Sequence, residues 1–108
     1  MGDDAALGAF EEQVMLAVVH AGADAFGMNV RREIEQRTGR DVAIGAVYAT
    51  LDRLESKMLI ASARPKTGGT SRRIFRITAS GARALVETRA RREQLWSGIV
   101  LPVPGFRN

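Results

Sequence analysis

The spacing of apolar residues in this chain switches from a three-and-four rhythm to short alternating runs and back again, and that order of periods restricts the fold more than any other feature. Leu7, Phe10, Val14, Ala17, Val18 and Ala21 form one stripe, which predicts a helix from about Leu7 to Ala21. Met15, Leu16 and Val19 lie off that stripe, so the helix is expected to be buried on two sides, by its own domain and by a second chain. After a break at Gly22, a second helix is predicted to follow Asp24, whose carboxylate can cap free N–H groups, and to stop near Gly39. Its buried stripe is Phe26, Val30 and Ile34, with Glu33 and Arg37 paired in solvent. A third helix is predicted from about Ile44 to Lys57, where Val47, Leu51, Leu54 and Met58 keep the rhythm and Ala46, Ala49, Thr50 and Arg53 lie elsewhere.

Beyond that point the runs Leu59 to Arg64 and Arg72 to Ile77 are short and rich in β-branched or aromatic residues, and Gly68 and Gly69 lie between them. This pattern predicts a hairpin. Thr78 can then cap a last helix from about Ala79 to Gly98, with Glu87 and Arg91 paired, before Pro102 and Pro104 end regular structure. The expected fold is mainly α with a small β-hairpin, a winged helix-turn-helix plus a C-terminal dimerisation helix. Residues 1–77 are assigned to the first, 78–100 to the second and 101–108 to a tail.

With 108 residues and 45% hydrophobic composition there is material for a single core. The absence of cysteine removes disulfides, thiolate metal sites and cysteine nucleophiles together, and agrees with the cytoplasm as the expected location. The longest strongly apolar run, Val14 to Val19, is far short of the roughly 20 residues of a membrane span, so no membrane association is expected. Catalysis is disfavoured. His20 is the only histidine, no nucleophile–base pair is visible, and Glu11, Glu12, Glu33 and Glu35 read as solvated helix charges among arginines. Neither an enzyme activity, a cofactor nor a metal is expected.

Charge points outward instead. The net charge is +4, yet residues 1–36 hold two arginines against seven carboxylates, so the remainder carries +9. A basic C-terminal two-thirds fits a polyanion such as nucleic acid or an anionic lipid surface. The third helix sharpens this, because a helix that enters the major groove, about 12 Å wide, needs short side chains toward base edges and polar ones toward phosphate. Gly45, Ala46 and Ala49, with Thr50, meet the first need, while Tyr48 and Arg53 meet the second. Packing of another protein helix would also account for the small residues. Between Arg64 and Arg76 the hairpin holds Lys66, Arg72 and Arg73 but no acidic residue, so its cations and glycine N–H groups can lie along phosphates.

From Leu7 to Ala84 the chain resembles the PadR family of bacterial transcriptional regulators, particularly its short-tailed members. LGAFEEQVMLAVV is similar to their first helix and AFGMNVRREIEQRTGRDV to their second. VAIGAVYATLDRLESKMLI resembles the recognition helix, with Tyr48, Leu51, Arg53 and Leu54 in its pattern. GGTSRRIFRITASGARAL resembles the wing and the start of the last helix, with Thr78 and Gly81 in a threonine-glycine signature.

The resemblance implies a homodimer on double-stranded DNA, with the last helix of each subunit packed on the first helix of its partner. It also implies repression relieved by a ligand or signal. It maps a phosphate or sugar contact to Tyr48, helix contacts to Thr50 and Arg53, and the wing to Gly68, Gly69, Arg72 and Arg73. Trp96 is expected at the dimer centre, where it either fills the interface or stacks on a small hydrophobic effector; the first is favoured because large aromatics dominate such interfaces. There are two departures. Ala43 stands where many relatives have a capping serine, and Met58 where a glycine is usual. The rival reading is a winged-helix dimer used as a protein-interaction adaptor, with no reading of DNA.

Overall fold

The computed structural model describes residues 7–65 and 72–104. Helix α1 (Ala9–Ala21) begins where the Glu11 carboxylate reaches back to accept the Gly8 N–H at 2.9 Å. Helix α2 (Gly27–Thr38) ends at Gly39, whose φ of 71° is the left-handed conformation expected of a terminating glycine. Asp24 does not cap this helix. It closes a single 3-10 turn (Gly22–Asp24), Phe26 occupies the cap position, and the Asp24 carbonyl accepts from Phe26 N–H and the Asn29 side chain.

Helix α3 (Ile44–Ser56) starts at Ala43 with no side-chain cap. Met58 does not continue its buried stripe. Its N–H donates to Glu55 and the Leu59 N–H donates to Leu54, the double bond pattern that closes a helix with one left-handed residue. That residue is Met58, with φ 62° and its side chain exposed. The conformation costs a non-glycine residue about 1 kcal/mol.

Strands β1 (Ile60–Ala63) and β2 (Ile74–Ile77) pair antiparallel with Ser62 opposite Phe75. Alternation puts Ile60 and Phe75 into the core with Val14, Met15, Val18, Val30, Ile34, Val47, Leu51 and Leu54. The Phe75 N–H donates to the Ala25 carbonyl at 2.8 Å, which fastens the hairpin to the turn before α2. Met15 therefore belongs to this chain's own core, while Leu16 and Val19 remain exposed on α1.

Thr78 joins the hairpin to helix α4 (Ala79–Trp96): its hydroxyl accepts the Gly81 N–H at 3.0 Å and donates to the Met58 carbonyl at 2.8 Å. Gly81 must be small, because a Cβ there would lie 2.0 Å from the Leu59 carbonyl oxygen. Gly81, Ala84 and Thr88 are buried against the domain, where Thr88 accepts the Leu7 N–H and Arg92 pairs with Glu12 on α1. From residue 89 to residue 104 every residue is exposed. On α4 the i,i+4 ion pair that forms is Arg89 to Glu93, in place of the expected Glu87 and Arg91. Among the described residues no helix is long and apolar enough to cross a membrane, and no group of three or more potential ligands could hold a metal ion.

Candidate nucleic-acid interface

With Val47, Leu51 and Leu54 fixed in the core, helical geometry turns Gly45, Ala46, Tyr48 and Ala49 outward, and all four are exposed. Gly45 has open space above it: an added Cβ would meet no atom within 4 Å. Nothing inside the fold requires a glycine there, since its φ is not left-handed. Tyr48 is positioned by α2. Its ring lies so close to Gly27 that a Cβ at that glycine would fall 2.3 Å from the phenol oxygen, and 38% of the residue remains accessible.

Thr50 does not join this face. At 3% exposure it packs with Val47 and Leu54, and its hydroxyl accepts from Arg53 at 3.3 Å, so it has no surface to offer DNA. The spacing itself carried that signal, because position 50 falls three after Val47 and four before Leu54. Arg53 is exposed along one side but leans on Glu11, with 3.6 Å between Nε and Oε2, and Lys57 donates to the same oxygen at 3.0 Å. Burial alone would raise the Glu11 carboxyl, but the Gly8 N–H bond and the cations of Lys57 and Arg53 outweigh it and hold it below its ordinary value.

The hairpin stands beside α3. Arg72 is exposed and its guanidinium lies 4.0 Å over the Phe26 ring. Arg73 turns inward, onto Asp52 at 3.0 Å, onto Glu55, and onto Ser62 at 3.4 Å. The Ser62 hydroxyl bond, which outweighs the cost of burial, and then Arg73 lower the Glu55 carboxyl. Lys66, Gly68 and Gly69 lie outside the described residues. Two participants had gone unread: Phe26 as a platform for Arg72, and Asp52, three residues after Ala49 on the outward stripe.

Trp96 sits at the far end of α4, exposed beside Leu95, Ile99 and Leu101, which together line a shallow apolar concavity. The four glutamates of α1 and α2 all have cationic neighbours: Glu11 with Lys57, Glu12 with Arg92, Glu33 with Arg37 and Glu35 with Arg31.

Comparison with known proteins agrees with this architecture. Residues 15–87 match the model of the transcriptional regulator PadR-like family. The transcriptional regulator Rv3488 of Mycobacterium tuberculosis is 37% identical over 84 residues, spanning 76% of this chain and 78% of that protein. A PadR family transcriptional regulator from Eggerthella lenta superposes with a TM-score of 0.64 at 29% identity, covering 79% of this chain and 75% of the other. The winged-helix DNA-binding protein F93 from STIV, at 17% identity, shares the fold with a TM-score of 0.67 over 87% of this chain and 99% of its own. BpsR of Bordetella bronchiseptica, whose DNA binding is regulated by 6-hydroxynicotinic acid, shares it with a TM-score of 0.67 at 18% identity, over 92% of this chain and 72% of that one. The match over residues 15–87 and the 37% identity to Rv3488 make this chain a member of the PadR-like family of transcriptional regulators and not an enzyme, and the fold it shares with F93 is the winged helix.

Proposed function

We propose that the chain acts as a homodimeric, ligand- or signal-responsive repressor that inserts the first half of α3 into the major groove of a palindromic operator. Gly45, Ala46 and Ala49 approach base edges, Tyr48 and Arg53 reach sugar or phosphate, and Arg72 leads a wing whose Lys66, Gly68 and Gly69 follow the backbone. Gly45 carries this reading. A glycine inside a helix weakens it by about 0.5 kcal/mol, and here neither backbone conformation nor internal packing requires it, so its smallness serves a body outside the chain.

The dimer is supported by the end of α4. A helical end with no domain beneath it is marginal in water, and Leu95, Trp96, Ile99 and Val100 stay exposed on it or just after it until a second chain covers them. In this reading residues 1–77 are the DNA-binding unit, 78–100 the dimerisation helix with Trp96 near its centre, and 101–108 a tail. The ligand-regulated binding of BpsR supports an effector for this chain as well, a small hydrophobic molecule held near Trp96.

Titration against duplex DNA at several salt concentrations tests the function. A DNA reader loses about one decade of affinity per decade of salt for each phosphate contact, whereas a protein adaptor shows no such slope and would end this reading.

A further inference from the structure

Arg73 immediately precedes β2, and each of its donor groups is engaged on the protein side. Nη1 donates to Asp52 at 3.0 Å, Nη2 to Glu55 and Nε to Ser62 at 3.4 Å, and the guanidinium lies 4.8 Å from the Phe75 ring centre. Ser62 in turn donates to Glu55 at 2.8 Å. The side chain is only 26% exposed, about half the value for Arg53 at 53%. The carboxylates it holds belong to α3. Asp52 follows Ala49 by three residues and Gly45 by seven, so it extends the outward stripe toward the helix C-terminus.

We propose that Arg73 is a positioning residue: it clasps the wing to the recognition helix through Asp52, Glu55 and Ser62, sets the angle between the two DNA-reading elements, and screens two carboxylates from the phosphates. This rests on the DNA-reading role proposed above. Three consequences follow from its chemistry. A fork of donors holds a direction as well as a distance, so the strand leading to the wing tip is fixed relative to α3. A lysine, with one compact ammonium, cannot reproduce that fork. An arginine already matched to two carboxylates releases few counterions from DNA, so it contributes little to the salt slope.

The test uses full-length Arg73→Lys and Arg73→Met beside the unaltered protein. The probes are a duplex selected from genomic DNA by binding and a scrambled duplex of the same composition, each titrated at several salt concentrations. Thermal melting verifies that each variant is folded, and Arg73→Lys keeps the test valid if Arg73→Met does not fold. The expected result is that Arg73→Lys, which keeps the charge, weakens the selected duplex about tenfold and leaves the scrambled duplex nearly unchanged, that Arg73→Met weakens both duplexes but the selected one more, and that both variants keep the salt slope of the unaltered protein. In the Arg73→Met background, Asp52→Asn with Glu55→Gln should then restore part of the lost affinity.

A direct phosphate contact gives the opposite pattern. Arg73→Met would weaken both duplexes alike and lower the slope by about one, while Arg73→Lys would bind as the unaltered protein does; that result overturns the proposal. Unchanged binding in both variants overturns it too. If the unaltered protein itself binds duplex DNA without a salt slope, the DNA-reading role falls first and the clasp falls with it, a failure distinguishable from loss of the clasp alone.

Discussion

The first two turns of α3 and its last two face their surroundings differently. At the N-terminal end Gly45, Ala46 and Ala49 are exposed, and the helix starts without a side-chain cap. At the C-terminal end the helix is gripped from both sides: Glu11 of α1 holds Lys57 and Arg53, and Arg73 of the hairpin holds Asp52 and Glu55. One end is left small and open while the other is anchored, which is the division of labour a probe held by a handle requires. The difference teaches that charge on this helix is not uniformly available to a polyanion; Glu11 of α1 holds both Arg53 and Lys57.

The largest effect expected from breaking this contrast is at Ala49. Ala49→Glu places a carboxylate on the open face, and duplex binding should fall at least about 100-fold in an equilibrium titration, with thermal stability nearly unchanged. Gly81→Ala attacks the anchor instead. The new methyl group would meet the backbone carbonyl of Leu59, just past the C-terminal end of α3, and denaturant unfolding should report a loss of about 2–3 kcal/mol.

Gly45→Ala separates the two demands on the open end most cleanly. The methyl group enters free space and favours the helix, so stability should rise by about 0.5 kcal/mol while affinity for DNA falls. A rise in both would place Gly45 outside the interface.

The smallest effect concerns pH. Because the Glu11 carboxyl is held below its ordinary value of 4.5 in the folded chain, its contribution is complete above that value and is lost as the pH falls through the folded pKa. Melting curves of the unaltered protein and Glu11→Gln should therefore differ near neutral pH and converge in acid.

Much of this arrangement was legible before any coordinates. Gly39 and Thr78 act through bonds to residues a few places away, so their caps could be read from neighbouring letters. The outward face of α3 followed from one period, set by Val47, Leu51 and Leu54. Thr50 is expected on that face for its short side chain and its place in the family pattern, but the same period turns it inward. Asp24 failed as a cap for another reason: a 3-10 turn intervened and left its backbone carbonyl, not its carboxylate, serving the next helix.

What no local pattern could supply were the long-range pairs. Glu11 and Lys57 are 46 positions apart, and Arg73 and Asp52 are 21 apart. A run of cations in a hairpin reads as uniformly available until the fold decides which carboxylate stands beside each one. Arg72 and Arg73 are sequence neighbours with opposite fates, one lying over Phe26 and the other turned onto α3. Alternation along an extended backbone sends their side chains to opposite sides.

The central claim is that the first half of α3 is covered by DNA. Because the sequence has no cysteine, Ala49→Cys supplies a unique thiol on that face, and Val86→Cys supplies one on the outer side of α4. The rate of thiol alkylation, measured with and without saturating duplex, is the direct test. The account predicts strong protection at position 49 and none at position 86; equal rates at position 49 with and without DNA would contradict it.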